Sequence, residues 1–119
     1  MIQNNELIPS YFELQETPST NQYCKEMAEL LPNGAVVYTF SQTNGRGSKG
    51  RSWSSEPFKS LALSILLKNP PDKVLSPLPL VMGLSATLAF EKLGFEVDLK
   101  WPNDLLIDGQ KVAGLLCEG

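Results

Sequence analysis

The residues best suited to chemistry lie in a glycine-rich, cationic stretch, SQTNGRGSKGRSWSS, at positions 41–55. It places Arg46, Lys49 and Arg51 among three glycines, and no acid follows before Glu56. Arginines and backbone N–H groups bind phosphate oxygens, and glycines let the backbone approach them closely. The stretch therefore predicts a loop that binds an anionic ligand. The alternative is a mobile surface loop whose cations only solubilise it.

The chain contains no histidine, which excludes a Ser-His-Asp or Cys-His nucleophilic centre and any histidine-ligated zinc. Its two cysteines, Cys24 and Cys117, lack metal-type spacing, and we expect two buried, reduced thiols of a cytosolic protein. Any chemistry must therefore depend on positioning and on cationic charge.

Two well-known phosphate-binding patterns match this loop literally, and both are rejected on their context. Its glycines spell G-x-G-x-x-G, but a dinucleotide fingerprint requires a helix directly after it and an acid ~20 residues later. The residues that follow are RSWSSEP, and the region twenty onward is the apolar SILLKNP. Residues 45–52 are one letter from a P-loop, but Arg51 replaces its lysine and Pro57 stands where its helix would continue.

Three further segments carry polar residues that a plain core does not need. PSTNQ offers hydroxyls and an amide at a predicted helix N-terminus, where ordinary capping would explain Ser19 alone. KWPNDLL places a lysine, an asparagine and an aspartate at a strand end, which is also consistent with a core tryptophan and a simple turn. GQKVAGLL puts Lys111 just after a hairpin turn on an otherwise apolar strand, where a lone lysine is commonly an exposed edge charge.

Two helices and several strands are predicted to position these segments. PSTNQYCKEMAELLPNG reads as a helix with Ser19 and Gln22 as a capping box. LPLVMGLSATLAFEKLG is the longest predicted helix, apolar nearly all round and ended by Gly94. The apolar stripe of the first helix is formed by Tyr23, Met27, Leu30 and Leu31.

Strands are predicted for YFELQET, AVVYTFS, EVDLKW and SLALSILLK, the last of them buried. LLIDGQKVAGLL predicts a hairpin with Asp108 and Gly109 in a type I′ turn. The order β-α-β-β-α-β-β-β therefore predicts an antiparallel or mixed sheet flanked by helices, an α/β or α+β layer fold.

The composition of the 119 residues, 42% hydrophobic and 19% charged, suits one soluble globular domain. A net charge of −3 argues against a general nucleic-acid or membrane-surface binder. No apolar run approaches the ~20 residues of a membrane span, and MIQNNELIPS lacks the pattern of a secretory signal. We therefore expect a cytoplasmic protein with neither a nucleic-acid nor a membrane partner.

Taken together, the four polar segments resemble the biotin–protein ligases, in the N-terminal part of their catalytic domain. STNQ is similar to the family's biotin-contacting turn, and QTNGRGSKGRSW resembles its adenylate loop, G-R-G-x-x-G-R-x-W. KWPNDLL and KVAGLL resemble the next two signatures, in the same order. Four ordered motifs between positions 19 and 116 are far more specific than any one of them.

The resemblance implies the fold of biotin and lipoate ligases and class II aminoacyl-tRNA synthetases, a mixed, largely antiparallel sheet flanked by helices. It implies that biotin's carboxylate attacks the α-phosphate of ATP, with Mg²⁺, to give biotinoyl-AMP and pyrophosphate. A lysine of a biotin carboxyl carrier protein then accepts the biotinoyl group. A carboxylate is already a nucleophile at pH 7, so no histidine base is required, and the cationic loop becomes a closing lid over the phosphates.

The resemblance also assigns the site residues position by position. Lys111 and Arg46 are the expected catalytic residues. Biotin contacts are expected from Ser19, Thr20, Asn21, Gln42, Gly45, Arg46, Gly47, Lys111 and Gly114. Nucleotide contacts are expected from Arg46, Ser48, Arg51, Trp53, Lys100, Asn103 and Asp104, and Asp104 would either help to bind magnesium or orient the lid. No metal site built from protein ligands is expected.

The sequence departs from the family pattern at two places. Ser48 stands where many members have a basic residue, which leaves one less cation over the adenylate. No winged helix precedes the catalytic part, and the later family motifs do not follow LLCEG, so residues 1–119 are expected to be about the first half of a ligase.

Such a half is expected to self-associate, and its own activity stays open. A lipoate or octanoate ligase, or a non-catalytic fragment that binds biotin or a nucleotide, remains an alternative. GRGSKGRSW together with KWPND favours biotin, because lipoate enzymes carry a different pattern.

Overall fold

The computed structural model describes residues 9–101 and 103–119, which divide into two compact units at positions 69 and 70. Residues 1–8 and Pro102 lie outside the described residues. The prediction that the N-terminus carries no secretory signal falls mostly on the first of these, and Pro102 belongs to the predicted turn. The first unit contains β1 (Ser10–Leu14), α1 (Thr20–Glu26), β2 (Ala35–Thr39), β3 (Gly45–Arg46), β4 (Ser52–Trp53) and β5 (Ala62–Ile65). The second contains α2 (Asp72–Leu75), α3 (Leu78–Lys92), β6 (Asp98–Lys100), β7 (Asp104–Ile107) and β8 (Gln110–Gly114).

The first unit is built on a three-stranded mixed sheet in the order β1-β2-β5. β1 runs parallel to β2, with α1 in the connection, and β5 runs antiparallel to β2. The central strand β2 alternates buried and half-buried residues, and Ala35, Val37 and Thr39 lie fully inside. Cys24 of α1 and Leu31 pack against this buried side, so that the helix and the sheet share a small apolar core.

The first helix is shorter than the sequence predicts. Ser19 caps it as expected, since its hydroxyl accepts a hydrogen bond of 3.2 Å from the Gln22 N–H. The chain leaves the helical conformation at Met27, where φ is −103° and ψ is 12°. Leu31 is buried, but Leu30 is 78% exposed. The prediction of Leu30 in the apolar stripe is therefore wrong, because the helix has ended before its side chain would return to the buried side.

Two predictions about burial are also wrong. β5 forms within SLALSILLK as expected, but Leu63 and Ile65 are exposed and Ser64 is the buried residue of the strand. A strand covered on one side only exposes alternate residues, even where they are apolar. Both cysteines are free, as expected, but only Cys24 is buried, and burial raises the pKa of its thiol, whereas Cys117 is exposed.

The second unit begins with the long helix that the sequence predicts. After Lys92 the chain turns at Gly94, whose φ of 93° favours glycine. The Gly94 N–H donates to Glu91 O and the Phe95 N–H to Phe90 O, which is the Schellman pattern. The rings of Phe90 and Phe95 meet edge to face with centroids 6.4 Å apart, and this apolar contact secures the helix end.

A three-stranded antiparallel sheet, β6-β7-β8, completes the second unit. Asp108 and Gly109 have φ values of 51° and 77°, so the hairpin turn is the predicted type I′. The β7–β8 register shifts between Leu105 and Leu106, and Leu105 is fully buried. The predicted fold class, a mixed and largely antiparallel α/β arrangement, is confirmed. None of the described helices has the length and apolarity to cross a membrane.

Candidate functional site

Backbone hydrogen bonds place the PSTNQ turn against the start of the glycine-rich loop. Thr17 and Gln42 form an isolated parallel bridge. The Thr17 N–H donates to Ser41 O at 3.1 Å, and the Thr43 N–H donates back to Thr17 O at 3.0 Å. The Asn44 N–H donates to Pro18 O at 2.7 Å. Two segments that are about 25 positions apart in the sequence therefore lie side by side.

The Gln42 side chain binds the N-terminus of α1 directly. Its Oε1 accepts from the Thr20 N–H at 3.0 Å and lies 3.4 Å from the Thr20 hydroxyl. The first N–H groups of a helix have no partner within the helix, and Gln42 satisfies one of them. Thr20 is 3% exposed and Gln42 is half-buried, so this polar contact is partly buried.

Ser64 of β5 joins this network, and the sequence analysis did not select it. Its Oγ lies 2.7 Å from the Thr20 Oγ1, and its hydroxyl donates to the Asn21 Oδ1. The sequence does carry a signal for this role, because Ser64 is the one polar residue inside the apolar segment LALSILL. Ser19, Thr20, Asn21, Gln42 and Ser64 therefore form a connected, uncharged polar cluster, which we call the hydroxyl–amide cluster.

The glycine-rich loop forms a short hairpin. Gly45 pairs with Trp53 and Arg46 with Ser52, and the Gly47 N–H donates to Arg51 O at 2.7 Å. Between the strands lies a single 3₁₀ turn, Ser48–Gly50. The loop thus continues into a strand and not into a helix, which confirms that it is neither a dinucleotide fingerprint nor a P-loop.

Gly45 is required by the tight packing at the base of this hairpin. A Cβ there would lie 2.6 Å from the Gln42 Nε2 and 2.7 Å from the Trp53 O, closer than carbon can approach. At Gly47 the nearest atom would be the Arg51 Cβ at 3.5 Å, an ordinary contact. The hairpin therefore packs directly on the side chain that binds α1.

Arg46 extends from the hairpin toward α1. Its Nη1 donates to the Gln22 Oε1 at 3.1 Å, and the Gln22 Nε2 donates to the Glu26 Oε1 at 3.0 Å. Gln22 thus uses its side chain for these two contacts, on the first turn of the helix that starts in the hydroxyl–amide cluster. The guanidinium of Arg46 is exposed, as is that of Arg51, while Trp53 is half-buried.

A cleft of about 320 Å³ lies beside the hairpin in the first unit. Glu16 and Pro57 contribute to its wall, and the remaining residues come from the loop itself. These are Ser41, Gln42, Thr43, Asn44, Gly45, Ser52, Trp53, Ser54 and Ser55. The lining is mostly hydroxyl and amide groups, and three of the predicted ligand contacts, Gln42, Gly45 and Trp53, border it.

The second unit brings three of its predicted site residues to one end of its sheet, and the side chain of a fourth, Lys111, reaches one of them from near the hairpin turn. Lys100, Asp104 and Gly114 occupy facing positions on β6, β7 and β8. The Lys111 Nζ lies 2.9 Å from the Asp104 Oδ1, and the two side chains are 42% and 23% exposed. Sequence reasoning treated Lys111 and Asp104 separately, and their ion pair is visible only in the folded hairpin.

Asn103 has a structural contact in the same unit. Its Nδ2 donates to Leu115 O at 3.0 Å, and the Leu115 N–H donates to Asn103 O at 2.8 Å. These two bonds hold the residue that follows β8 against the start of β7. Trp101 is 67% exposed, so the simpler interpretation of KWPND as a core tryptophan with a turn does not apply.

Metal ligation by the protein finds no support in residues 9–101 and 103–119. No group of three or more His, Cys, Asp or Glu side chains that could hold a metal ion occurs in them. Within the same ranges, no buried side-chain nitrogen or oxygen lacks a hydrogen-bond partner.

Solved structures share the fold of this chain. The biotin protein ligase of Aquifex aeolicus, in complex with biotin and ATP, superposes with a TM-score of 0.80 at 38% identity. The match covers 91% of this chain and 46% of that one. The biotin protein ligase of Leishmania major, in complex with biotinyl-5-AMP, gives a TM-score of 0.80 at 25% identity, over 92% of this chain and 51% of that one.

Sequence comparison leads to the same family. The biotin–[acetyl-CoA-carboxylase] ligase of Paracoccus denitrificans is 34% identical over 111 residues, 88% of this chain and 45% of its own length. Across the relatives matched, the chain spans about a third to a half of their length. The family model described as "Biotin/lipoate A/B protein ligase family" matches residues 11–119. The chain belongs to the biotin/lipoate A/B protein ligase family.

Proposed function

We propose that this chain carries out the ATP-dependent activation of biotin to biotinoyl-AMP and its transfer to a lysine of a biotin carboxyl carrier protein. The observation that supports it most directly is the uncharged hydroxyl–amide cluster beside an arginine-bearing hairpin. Solved relatives bind biotin and ATP, or biotinyl-5-AMP. We place residues 1–119 in the N-terminal part of such a catalytic domain, in the cytoplasm, with no nucleic-acid or membrane partner.

The hydroxyl–amide cluster suits the ureido ring of biotin. That ring is neutral and carries two N–H donors and one carbonyl acceptor, and hydroxyl and amide side chains can pair with both kinds. Ser19 and Thr20 are nearly buried, and their hydroxyl oxygens keep acceptor lone pairs that an N–H donor of the ligand can use. The dithiolane ring of lipoate offers no N–H group, and on this ground the cluster favours biotin over lipoate or octanoate.

The cations of the hairpin suit the phosphates. Arg46 and Arg51 are exposed at either side of the 3₁₀ turn, and planar guanidinium groups bind phosphate oxygens through two hydrogen bonds. In the first step a carboxylate oxygen of biotin bonds to the α-phosphorus as the bond to the β-phosphate breaks, and pyrophosphate leaves. In the second step the carrier's lysine amine attacks the acyl carbon and AMP leaves.

Lys111 is proposed to stabilise the negative charge that builds up between the carboxylate and the α-phosphate. Its ion pair with Asp104 holds the amine on the β7–β8 hairpin while leaving it 42% exposed. The remaining predicted nucleotide contacts, Ser48, Trp53, Lys100 and Asn103, are proposed on the resemblance. Magnesium would be bound to the triphosphate and neutralise part of its charge, and Asp104 is proposed to help bind it or to orient the lid.

The decisive experiment is the detection of the intermediate. The chain is incubated with biotin, α-labelled ATP and Mg²⁺, and labelled biotinoyl-AMP is separated from AMP. The same measurement on a longer chain, extended to the length of the relatives, shows whether the additional residues are needed for turnover. Lipoate and octanoate replace biotin as controls.

Each outcome has a definite meaning. Biotinoyl-AMP from biotin, with neither control acid activated to a similar extent, supports the proposal. Equal activation of lipoate would instead indicate a lipoate ligase. Biotin binding by both versions without any adenylate would indicate a non-catalytic binding protein, and the absence of biotin binding would contradict the proposal altogether.

A further inference from the structure

Ser64 is the member of the hydroxyl–amide cluster that lies outside the turn and the loop. It is 7% exposed and occupies the middle of β5, opposite Val37 of the central strand. Its side chain contacts two residues of α1, Thr20 and Asn21, which are separated from it by more than forty positions. A serine inside an otherwise apolar strand loses its contact with water on folding, and here two hydrogen bonds replace it.

The proton directions in this cluster follow from counting donors. Each hydroxyl has one proton, and the Ser64 proton goes to the Asn21 Oδ1. The 2.7 Å contact between the two hydroxyl oxygens then requires Thr20 to donate to Ser64. The alternative acceptor for the Thr20 proton, the Gln42 Oε1, is farther away at 3.4 Å and already accepts from the Thr20 N–H.

We infer that Ser64 is a positioning residue, which sets the Thr20 hydroxyl as a hydrogen-bond acceptor and fixes the Asn21 amide for the ureido group of biotin. This inference rests on the proposed function. A Thr20 oxygen whose proton is given to Ser64 presents lone pairs to an N–H donor of the ligand. Without Ser64 the hydroxyl turns to Gln42 or rotates freely, and biotin must order it at the moment of binding.

The test measures biotin affinity by calorimetry on the 119-residue chain, so that it does not depend on turnover. Ser64→Ala is expected to weaken biotin binding about 5- to 10-fold, the range of one or two lost hydrogen bonds. Ser64→Thr, which keeps the hydroxyl, is expected to stay within about twofold of the unsubstituted chain. Thr39→Val is the matched control, because it removes a buried hydroxyl from the same sheet whose oxygen accepts from the Ser41 N–H and not from a member of the cluster.

A double-substitution cycle separates positioning from a general loss of stability. In a Thr20→Val background, Ser64→Ala is expected to change biotin affinity by no more than about twofold, since Ser64 acts mainly through Thr20. Circular dichroism confirms folding, and ATP affinity is expected to stay unchanged throughout. If Ser64→Ala does not fold, the biotin affinity of Ser64→Thr becomes the test. A tenfold loss of biotin affinity in Ser64→Thr would overturn the inference.

The two proposals fail in different ways. If the unsubstituted chain binds biotin and Ser64→Ala binds it equally well, the role of Ser64 is wrong and the proposed function stands. A full tenfold effect of Ser64→Ala in the Thr20→Val background likewise overturns positioning through Thr20. If the unsubstituted chain does not bind biotin, both proposals are wrong.

Discussion

The two units of this chain differ in the polar side chains that they bury, since the buried hydroxyl groups among the described residues all lie in the first unit. The first unit buries hydroxyl groups at Ser19, Thr20 and Ser64 and satisfies them with hydrogen bonds. The second exposes apolar side chains along α3, where Leu84 and Leu88 are 49% and 59% exposed, and keeps its charged pair half-accessible on a hairpin. On the proposed function, the hydroxyl groups that would bind the neutral ring of biotin are held in place before binding, while the charged groups stay open to a polyanionic substrate.

The largest expected effect comes from the charged pair of the second unit. Lys111→Ala is expected to lower the rate of biotinoyl-AMP formation on the order of 10²-fold or more, because a single electrostatic donor at the reacting atoms has about that effect. Single-turnover chemical quench on an adenylate-forming version measures it. Asp104→Asn is the matched control, since it removes the ion pair but keeps the amine, and a smaller loss is expected. An unchanged rate for Lys111→Ala would show that charge on this hairpin does not serve the first step.

Substitution of Arg46, one of two exposed arginines of the first unit, tests whether the β3–β4 hairpin retains the intermediate. Arg46→Ala is expected to speed the escape of biotinoyl-AMP about 10-fold or more, because a charge-assisted hydrogen bond to the phosphate is lost. Dissociation is followed by trapping released adenylate in a chase. Gln22→Ala removes the amide oxygen to which Arg46 donates and should have a weaker effect in the same direction. If Arg46→Ala releases adenylate no faster, Arg46 does not act as part of a lid.

Packing under the hairpin gives a sharper test of preorganisation in the first unit. Gly45→Ala forces a Cβ to within 2.6 Å of the Gln42 Nε2, and overpacking of this kind is expected to cost about 1–3 kcal/mol of unfolding free energy. Gly47→Ala, with 3.5 Å to the nearest atom, should cost much less. Urea denaturation monitored by tryptophan fluorescence measures both. Equal stability of the two variants would mean that the hairpin base does not pack on Gln42 as described.

The exposed apolar side of the second unit is expected to be covered by a second copy of this chain. Large apolar side chains at Val81, Leu84 and Leu88 share one side of α3, and β8 is an edge strand of its sheet. Size exclusion with light scattering at micromolar concentration should give a mass of at least two chains. Leu84→Lys with Leu88→Lys should shift it toward one chain. A well-folded single chain before substitution would contradict this expectation.

Local sequence signals predicted helix ends and turns well, because residues a few positions away in the sequence determine them. Ser19 as an N-cap, Gly94 as a helix stop and the Asp108–Gly109 turn all form as expected, because caps and tight turns depend on backbone geometry within a few residues. Burial was predicted less well. The expected burial of SLALSILLK and Leu30 depended on which elements would cover them, and this is not visible in a window of nine residues.

The sequence by itself determined the types of element, the ordered motifs and hence the family, since residue types and their spacing carry those signals. Only the tertiary structure decided which polar groups meet. Ser64 joined Thr20 and Asn21 because β5 pairs with β2 beside α1, and Lys111 met Asp104 because the hairpin folds one strand back on the other. Hydrogen bonds and ion pairs act over about 3 Å, whereas these partners are 7 to more than 40 positions apart in the chain. Their pairing therefore follows from the long-range packing of strands and helix and not from any local pattern.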